Sequence, residues 1–229
     1  MCIRDRSICR HITVSHNSIY DTPRAGINVS EGTWGGHIIE FNDVFDTVKE
    51  TGDHGSFNSW GRDRFWHPKY NVMTQITDEN PALILADVVE PIIIRHNRLR
   101  CDRGWDIDLD DGSSNYQIYN NLCLNGGIKL REGFYRTVEN NIIVNNTLHP
   151  HLWFKNSGDV FSRNIVMTKY KPIRVYGWGR EVDYNIFTDS LAYLAARQLG
   201  GDVHSIVTTI RFMDATKGNF NVADDSEVI

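Results

Sequence analysis

The segment WDIDLDDGSSNY, residues 105–116, carries four carboxylates within six consecutive positions. They are Asp106, Asp108, Asp110 and Asp111. Carboxylates this close raise one another's pKa values unless cations stand beside them. Such groups can serve as a general acid and a general base, or they can bind a divalent cation through their oxygen atoms. The reaction that these carboxylates can support depends on how the backbone spaces and orients them.

The acidic segment has the alternation of a β-strand. Ile107 and Leu109 separate the first three carboxylates, a pattern of period two that is typical of a strand with one buried face. We therefore expect Asp106, Asp108 and Asp110 to point outward, about 6.5–7 Å apart along the strand.

A short phrase recurs along the chain: an asparagine, one variable residue and an aliphatic residue. Its spacing is 20–25 residues, apart from one gap of 55 residues after the second copy. Helical repeats need longer periods, of roughly 33 residues or more. The period predicts an all-β fold, a right-handed parallel β-helix that forms a single-stranded solenoid with coils of about 20–25 residues. We place the asparagine slot, which suits turns and amide ladders, at Asn17, Asn42, Asn97, Asn120 and Asn140, and in degenerate form at Arg163 and Tyr184.

A second, alternating phrase lies between the asparagine phrases and defines the buried face of one sheet. On the outer face its alignment places Lys129 about 4.8 Å from Asp108, and Arg131 at the same distance from Asp110. The expected inward columns are Ile27, Phe57, Ile107, Ile128, Leu152 and Ile173, and then Val29, Ser59, Leu109, Leu130, Phe154 and Val175.

Neighbouring coils add polar and aromatic side chains to the acidic face. A plain interpretation is a solvated ladder of cross-strand ion pairs. However, a long insertion begins beside this face, and long loops on a rigid scaffold are often binding loops. Exposed tryptophan beside carboxylate, arginine and histidine suits a sugar site. The candidate substrate-binding residues are His54, Asn58, Trp60, Arg62, Asp63, Asp111, Lys129, Arg131, Glu132, His149, His151, Trp153 and Lys155.

Hydrolysis of a glycosidic bond needs two carboxyl groups, one of which protonates the leaving oxygen. Asp108 and Asp110 are the leading pair. The cations of the next coil should lower the pKa of both, which suits a base better than an acid. The acid is then expected to be a less well-paired group, Asp53 or Asp106. Asp53 or Asp63 on the preceding coil is a substitute for either member of the pair.

A resemblance to known proteins is carried by GDHGSFNSWGRDRFW (52–66), GWDIDLDDGSSNY (104–116), GGIKLREGFYRTVENNI (126–142) and HPHLWFKNSGDVFSRNI (149–165). These segments resemble bacterial right-handed parallel β-helix proteins among the pectate-lyase-like carbohydrate-active enzymes, and glycoside hydrolase family 141 is the nearest group. The resemblance covers about residues 11–229. It implies hydrolysis of glycosidic bonds by paired carboxylates, with plant-type glycans or glycans that contain fucose or xylose as substrates.

Two other functions stay open. A polysaccharide lyase would need a cation to neutralise a uronate carboxylate and a lysine, arginine, histidine or tyrosine base. Lys129, Arg131, Lys155 and Arg174 could supply these, and the aspartates could hold Ca²⁺. The hydrolase needs no metal or cofactor. A glycan-binding β-helix would bind without turnover. An EF-hand is excluded, because loop position twelve is Gln117 instead of glutamate.

Composition limits the partners. The net charge of −5 argues against a nucleic-acid-binding protein, which needs a basic surface. Since no run of about 18 apolar residues occurs, we expect no membrane partner. We expect a monomer that acts on an oligo- or polysaccharide.

The chain divides into three regions. Residues 1–10 match neither the repeat nor a signal peptide, so we expect a leader that is disordered or an artefact of sequencing-adapter read-through. Residues 11–188 are expected to form the β-helix, with an inserted loop at about 61–90. Residues 189–229 should form a helical or loop segment and the C-terminal tail. We expect the chain to be a fragment of a longer metagenomic protein that is secreted or periplasmic.

Overall fold

The computed structural model describes residues 2–3, 9–30 and 34–226. Short strands dominate these residues, which also contain helices α1 (Tyr70–Glu79) and α2 (Ser190–Gln198) and 3-10 helices at Pro81–Leu83 and Ala215–Lys217. In chain order the strands are β1 (Cys2–Ile3), β2 (Thr13–Ser15), β3 (Ser18–Ile19), β4 (Ile27–Val29), β5 (Ile38–Glu40), β6 (Asp43–Val44), β7 (Gly55–Trp60), β8 (Ile92–Arg95), β9 (Arg98–Leu99), β10 (Trp105–Asp110), β11 (Tyr116–Tyr119), β12 (Leu122–Cys123), β13 (Ile128–Leu130), β14 (Arg136–Glu139), β15 (Ile142–Ile143), β16 (Leu148–Pro150), β17 (Val160–Ser162), β18 (Ile165–Val166), β19 (Glu181–Asp183), β20 (Ile186–Phe187), β21 (Ile206–Val207), β22 (Phe212–Asp214) and β23 (Asn219–Val222).

The strands assemble into three parallel sheets and an antiparallel hairpin of β22 and β23. Sheet A has the order β1-β4-β7-β10-β13-β16, and sheet B has the order β19-β17-β14-β11-β8-β5-β2. Sheet C has the order β21-β20-β18-β15-β12-β9-β6-β3. The chain visits the sheets in turn, and each circuit, called a coil below, adds a strand beside the previous one. The fold is therefore all-β and built of parallel sheets, as the sequence predicted.

The core lies along the inner face of sheet A and its two companions. Ile107 pairs in register with Phe57 and Ile128, and Leu109 pairs with Leu130. All five side chains are fully buried. The predicted inward columns are confirmed over these coils, and burying each large apolar side chain stabilises the fold by about 1.5–3 kcal/mol.

The next coil is shifted by four residues from the predicted alignment. Ile128 pairs with Leu148 instead of Leu152. A shift of four leaves the alternation of inward and outward residues unchanged, so the hydrophobic pattern cannot reveal it. On the following coil the prediction is also wrong for Ile173, whose side chain is 52% exposed instead of inward.

A ladder of asparagine side chains runs from coil to coil. The side-chain oxygen of Asn121 accepts hydrogen bonds from the backbone and side-chain N–H groups of Asn97, each at 3.0 Å. Asn141 holds Asn121 in the same way. Each step satisfies buried polar groups that would otherwise destabilise the turn. The ladder consists of Asn17, Asn42, Asn97, Asn121, Asn141, Asn164 and Asn185.

The predicted asparagine slots are wrong by one residue in the later coils. Asn120, Asn140, Arg163 and Tyr184 come immediately before the ladder and have φ values of 54–58°. They form the left-handed turn that leads into each ladder asparagine. The pairs Asn120–Asn121 and Asn140–Asn141 make the two positions look alike in the sequence.

The insertion lies between β7 and β8 and contains α1 and the first 3-10 helix. Its own small hydrophobic cluster attaches it to sheet A. Phe134 and Phe154, from the segments that follow β13 and β16, pack there against Phe65, Met73 and Ile84 of the insertion. The insertion is therefore held beside the end of the acidic strand β10.

The two ends of the chain also join this framework. Of residues 1–10, Cys2–Ile3 form β1 beside β4, whereas residues 1 and 4–8 lie outside the described residues. Near the other end, the Asp189 side chain accepts hydrogen bonds from the first turn of α2, which buries Ala192 and Ala196 in the main core. Neither helix in the described residues has the length and apolar character to cross a membrane.

Candidate active site

The acidic strand β10 lies between β7 and β13. Asp108 pairs in register with Asn58 on one side and Lys129 on the other, and Asp110 pairs with Trp60. The predicted placement of Lys129 beside Asp108 is confirmed. Alternation and register together bring residues from three coils to one patch.

Three carboxylates meet at this patch. One oxygen atom from each of Asp53, Asp108 and Asp110 lies within 4.8 Å of the others. Lys129 Nζ is 2.8 Å from Asp108 Oδ1 and 3.5 Å from Asp110 Oδ1. It also stands 4.1 Å from the centre of the Trp105 ring. The ammonium group therefore neutralises part of the negative charge of the cluster.

The patch is more enclosed than the strand pattern suggested. Asp108 is 1% exposed and Lys129 is 3% exposed, whereas Asp53 is open to solvent. The amide nitrogen of Asn58, when turned toward Asp108, lies 3.3 Å from Asp108 Oδ2. Asp108 is thus a buried carboxyl group beneath an exposed one.

Asp108 and Asp110 differ in acidity. Burial raises the pKa of Asp108 to about 7 and outweighs the opposing effect of Lys129. Burial also acts to raise the pKa of Asp110, but Lys129 and Arg131 together hold it below its ordinary value. The prediction that the cations lower both values is therefore wrong for Asp108, because its desolvation is the larger effect.

Asp53 and Asp110 border an open cavity of about 430 Å³. Arg131 Nη1 lies 2.9 Å from Asp110 Oδ1 and 3.0 Å from Asp111 Oδ1, and Arg62 Nε lies 2.9 Å from Asp111 Oδ2. These ion pairs hold the carboxylates in fixed positions. The cavity is lined by Arg24, Asp53, His54, Asn58, Trp60, Arg62, Asp110, Asp111 and Arg131.

Arg24 is a cavity residue that the sequence analysis missed. Its Nη2 donates a hydrogen bond to His54 Nε2 at 2.7 Å, and His54 Nδ1 lies 3.1 Å from Thr51 Oγ1. Burial, followed by the charge of Arg24, lowers the pKa of His54. A signal was present: Arg24 stands three residues before Ile27, as His54 stands before Phe57, and Ile27 pairs with Phe57.

Two further histidines lie beside Lys129. His149 pairs with Lys129 across the strands, and its Nε2 donates to Asn146 Oδ1 at 2.8 Å. Burial, with smaller effects from nearby cations, lowers the pKa of His149 to about 3 and that of His151 to about 4. Both rings are therefore neutral at pH 7. His151 Nε2 is buried without a hydrogen-bond partner among the described residues.

Glu132 is a buried residue that contacts Arg131, one of the residues lining the cavity. Its Oε1 accepts a hydrogen bond from Trp66 Nε1 at 3.2 Å, and its Oε2 lies 2.8 Å from Arg131 Nε. Burial raises its pKa, against the influence of Arg131. Glu132 thus connects the insertion to the arginine that contacts Asp110.

Three of the predicted substrate-binding residues lie away from both the cavity and the carboxylate cluster. Trp153 is fully buried in the main core and donates a hydrogen bond from Nε1 to the Leu130 carbonyl at 2.8 Å, so its predicted exposure is wrong. Lys155 borders a separate cavity beside α1. Asp63 is buried in the insertion, where burial and the charge of Asp87 raise its pKa to about 7.

Asp106 has a different environment from the other acidic residues of β10, and its predicted outward position is wrong. The side chain is fully buried. One oxygen accepts a hydrogen bond from the backbone N–H of Cys101 at 2.7 Å. The other accepts from the N–H groups of Asn125, Gly126 and Gly127 at 2.9–3.1 Å. Asp106 therefore holds two turns together and has no free acceptor for a substrate.

The three clustered carboxylates offer the oxygen ligands that Ca²⁺ prefers, but Ca²⁺ takes six to eight of them. Lys129 already brings a positive charge to two of the three carboxylates. The residues present therefore suit an ammonium-neutralised acid–base cluster better than a calcium site.

Comparisons with protein-family models, with curated proteins and with solved structures give no match for this chain.

Proposed function

We propose that this chain is a glycoside hydrolase that cleaves plant-type glycans or glycans that contain fucose or xylose. One observation carries the proposal: Asp108, with a pKa of about 7, lies within 4.8 Å of Asp110, whose pKa is lowered, and Asp110 borders an open polar cavity. Carboxyl groups whose environments move their pKa values apart supply an acid and a base at the same pH.

The fold that we propose for this enzyme is a right-handed parallel β-helix. The in-register parallel sheets, the repeated visit to each sheet and the asparagine ladder support it. The segments that resemble glycoside hydrolase family 141 contain Asp53, strand β10 with Asp108 and Asp110, and strand β13 with Lys129. The sugar preference rests on that resemblance.

The spacing of the carboxylates favours a reaction that retains the anomeric configuration. Retaining enzymes place their carboxyl groups about 5–5.5 Å apart, whereas inverting enzymes leave about 6.5–9.5 Å for a water molecule. One oxygen atom of each carboxylate in the cluster lies within 4.8 Å of the others. In the proposed reaction ionised Asp110 attacks the anomeric carbon. Asp108 supplies the proton, which passes through Asp53, the exposed member, to the leaving oxygen. Water then hydrolyses the ester between the sugar and Asp110, and its proton returns through Asp53 to Asp108.

A calcium-dependent polysaccharide lyase is the second candidate, because three carboxylates that lie this close are also a plausible cation site. Lys129 stands against it, since its ammonium group neutralises two of them. A binding protein without turnover would use the same cavity and need neither acid nor base.

The test is an assay of the purified chain on xylan-type and fucosylated glycans. A hydrolase releases reducing ends without ultraviolet absorbance, a lyase releases products that absorb through a new double bond, and a binding protein releases nothing. Asp110→Asn should lower kcat by about a hundredfold or more, and Asp108→Asn should also lower it. Asp102→Asn, an exposed aspartate outside the cluster, is the control. A loss smaller than about tenfold in both cluster variants contradicts the assignment.

A further inference from the structure

A stack of aromatic rings connects the small hydrophobic cluster to the surface. Ring centres are 4.7 Å apart between Phe134 and Phe154, and 4.9 Å apart between Phe154 and Tyr70. Tyr70 and Tyr176 follow at 4.3 Å, and all three pairs lie within 24° of parallel. Phe134 and Phe154 are buried, whereas Tyr176 is 45% exposed. The stack therefore ends in a tyrosine ring that its neighbours hold in place at the surface.

Polar groups surround this exposed ring. A cavity of about 410 Å³ is bordered by Tyr70 and Tyr176 together with Thr74, Asp78, Lys155 and Asn156. A flat aromatic face beside a hydroxyl, a carboxylate, an ammonium and an amide offers both kinds of contact that a sugar ring makes: apolar contact with its C–H face and hydrogen bonds with its hydroxyl groups. The small hydrophobic cluster is built from residues such as Phe154 and Tyr70, but its packing does not require an exposed tyrosine at the end of the stack.

The cavity lies along the same run of coils as the carboxylate cluster. Arg131 is one coil beyond Asp110. Lys155 and Tyr176 belong to the second and third coils beyond it. Neighbouring strands are about 4.8 Å apart, so three coils separate Tyr176 from the carboxylates by about 14 Å in the direction in which the coils stack. The insertion borders both cavities, through Arg62 and through α1.

We propose that Tyr176 and its polar neighbours form a second sugar-binding site, which holds a distant unit of the glycan whose bond is cut at the carboxylate cluster. The substrate is then a polymer that lies across several coils and not a disaccharide. The consequence for turnover rests on the proposed hydrolase function, whereas sugar binding at Tyr176 does not.

The test measures binding and turnover separately. Binding is followed by affinity electrophoresis in gels with a soluble xylan or a fucosylated polysaccharide. Tyr176→Ala should weaken the affinity for the polysaccharide about three- to tenfold, which is the range expected for a stacked aromatic contact. Tyr176→Trp should restore this affinity. Tyr184→Ala is the matched control, because Tyr184 is 46% exposed and stacks on His204, away from both cavities. Thermal unfolding verifies that all variants fold.

Kinetics supply the second measurement. Tyr176→Ala should raise KM for the polysaccharide by a similar factor and leave kcat/KM for a short aryl glycoside unchanged. Unchanged binding of both polysaccharides, or an equal loss on short and long substrates, would overturn the second site. If the chain binds polysaccharide through Tyr176 but shows no turnover, the hydrolase proposal fails and the second site stands.

Discussion

The ammonium group of Lys129 lies 2.8 Å from Asp108 Oδ1, and neither side chain is more than 4% exposed. Removing one member of a buried ion pair leaves an uncompensated charge, which destabilises proteins by about 3–5 kcal/mol. We expect Lys129→Met to lower the free energy of unfolding at pH 8 by up to this amount, because Asp108 must then either stay ionised without its partner or take up a proton. Urea unfolding measures the change.

The double variant Lys129→Met/Asp108→Asn provides the control for this pair. It removes both charges, so its destabilisation should be smaller than the sum of the two single effects by about 1–3 kcal/mol. Additive effects would show that Lys129 and Asp108 do not act as a pair.

The activity should fall as the pH rises through about 7. Asp108 has to carry a proton to serve the acid role, and its pKa is raised to about 7 by burial. Asp110 has to be ionised, and its pKa lies below its ordinary value, so activity should persist well into the acidic range. A profile of kcat/KM against pH reports these groups in the free enzyme.

Asp53 offers a way to assign the alkaline limb of this profile. Its negative charge contributes to the raised pKa of Asp108. In Asp53→Asn the residual activity should therefore decline at a lower pH than in the wild type. An alkaline limb that stays at the same pH, or moves upward, would assign the proton to another group.

Calcium should not be required for activity. Lys129 neutralises the site that a cation would take, so chelation with EDTA should leave kcat unchanged. Lys129→Ala removes the ammonium from the three carboxylates and should bind Ca²⁺ at least about tenfold more tightly than the wild type, measured by titration calorimetry. Lys129→Arg keeps the charge and is the control. Loss of wild-type activity on chelation would favour the lyase instead.

The strand at the centre of the site was predictable because two independent patterns agree there. Alternation places Ile107 and Leu109 inside, and the charges on neighbouring coils pair Asp108 with Lys129 only in one register. The same pattern could not show how deeply Asp108 is buried. That burial depends on how closely side chains from neighbouring coils, such as Lys129, Asp53 and Asn58, approach the carboxyl group.

The later coils were harder to align for a related reason. A shift of four residues preserves the alternation, so Leu152 and Leu148 were equally compatible with the pattern. Trp153 was expected outside, but β16 ends at Pro150 and Leu152 adopts a φ of 55°, which breaks the alternation and lets the Trp153 ring lie in the core. Asp106 shares the parity of Asp108, but the turns that it holds through four backbone N–H groups take it out of the outer face.

The asparagine ladder provides a test of the corrected register. Asn141 accepts hydrogen bonds from the backbone and side chain of Asn121 and donates to the carbonyl groups of Ile118 and Glu139. Asn141→Ala leaves several of these buried groups without partners, so we expect a loss of about 3 kcal/mol in the free energy of unfolding. Asn140 is exposed at φ 54°, a conformation that glycine adopts readily, so Asn140→Gly should change stability by less than about 1 kcal/mol. Urea unfolding of the two variants distinguishes the neighbouring positions, and a larger loss for Asn140→Gly than for Asn141→Ala would contradict the ladder described above.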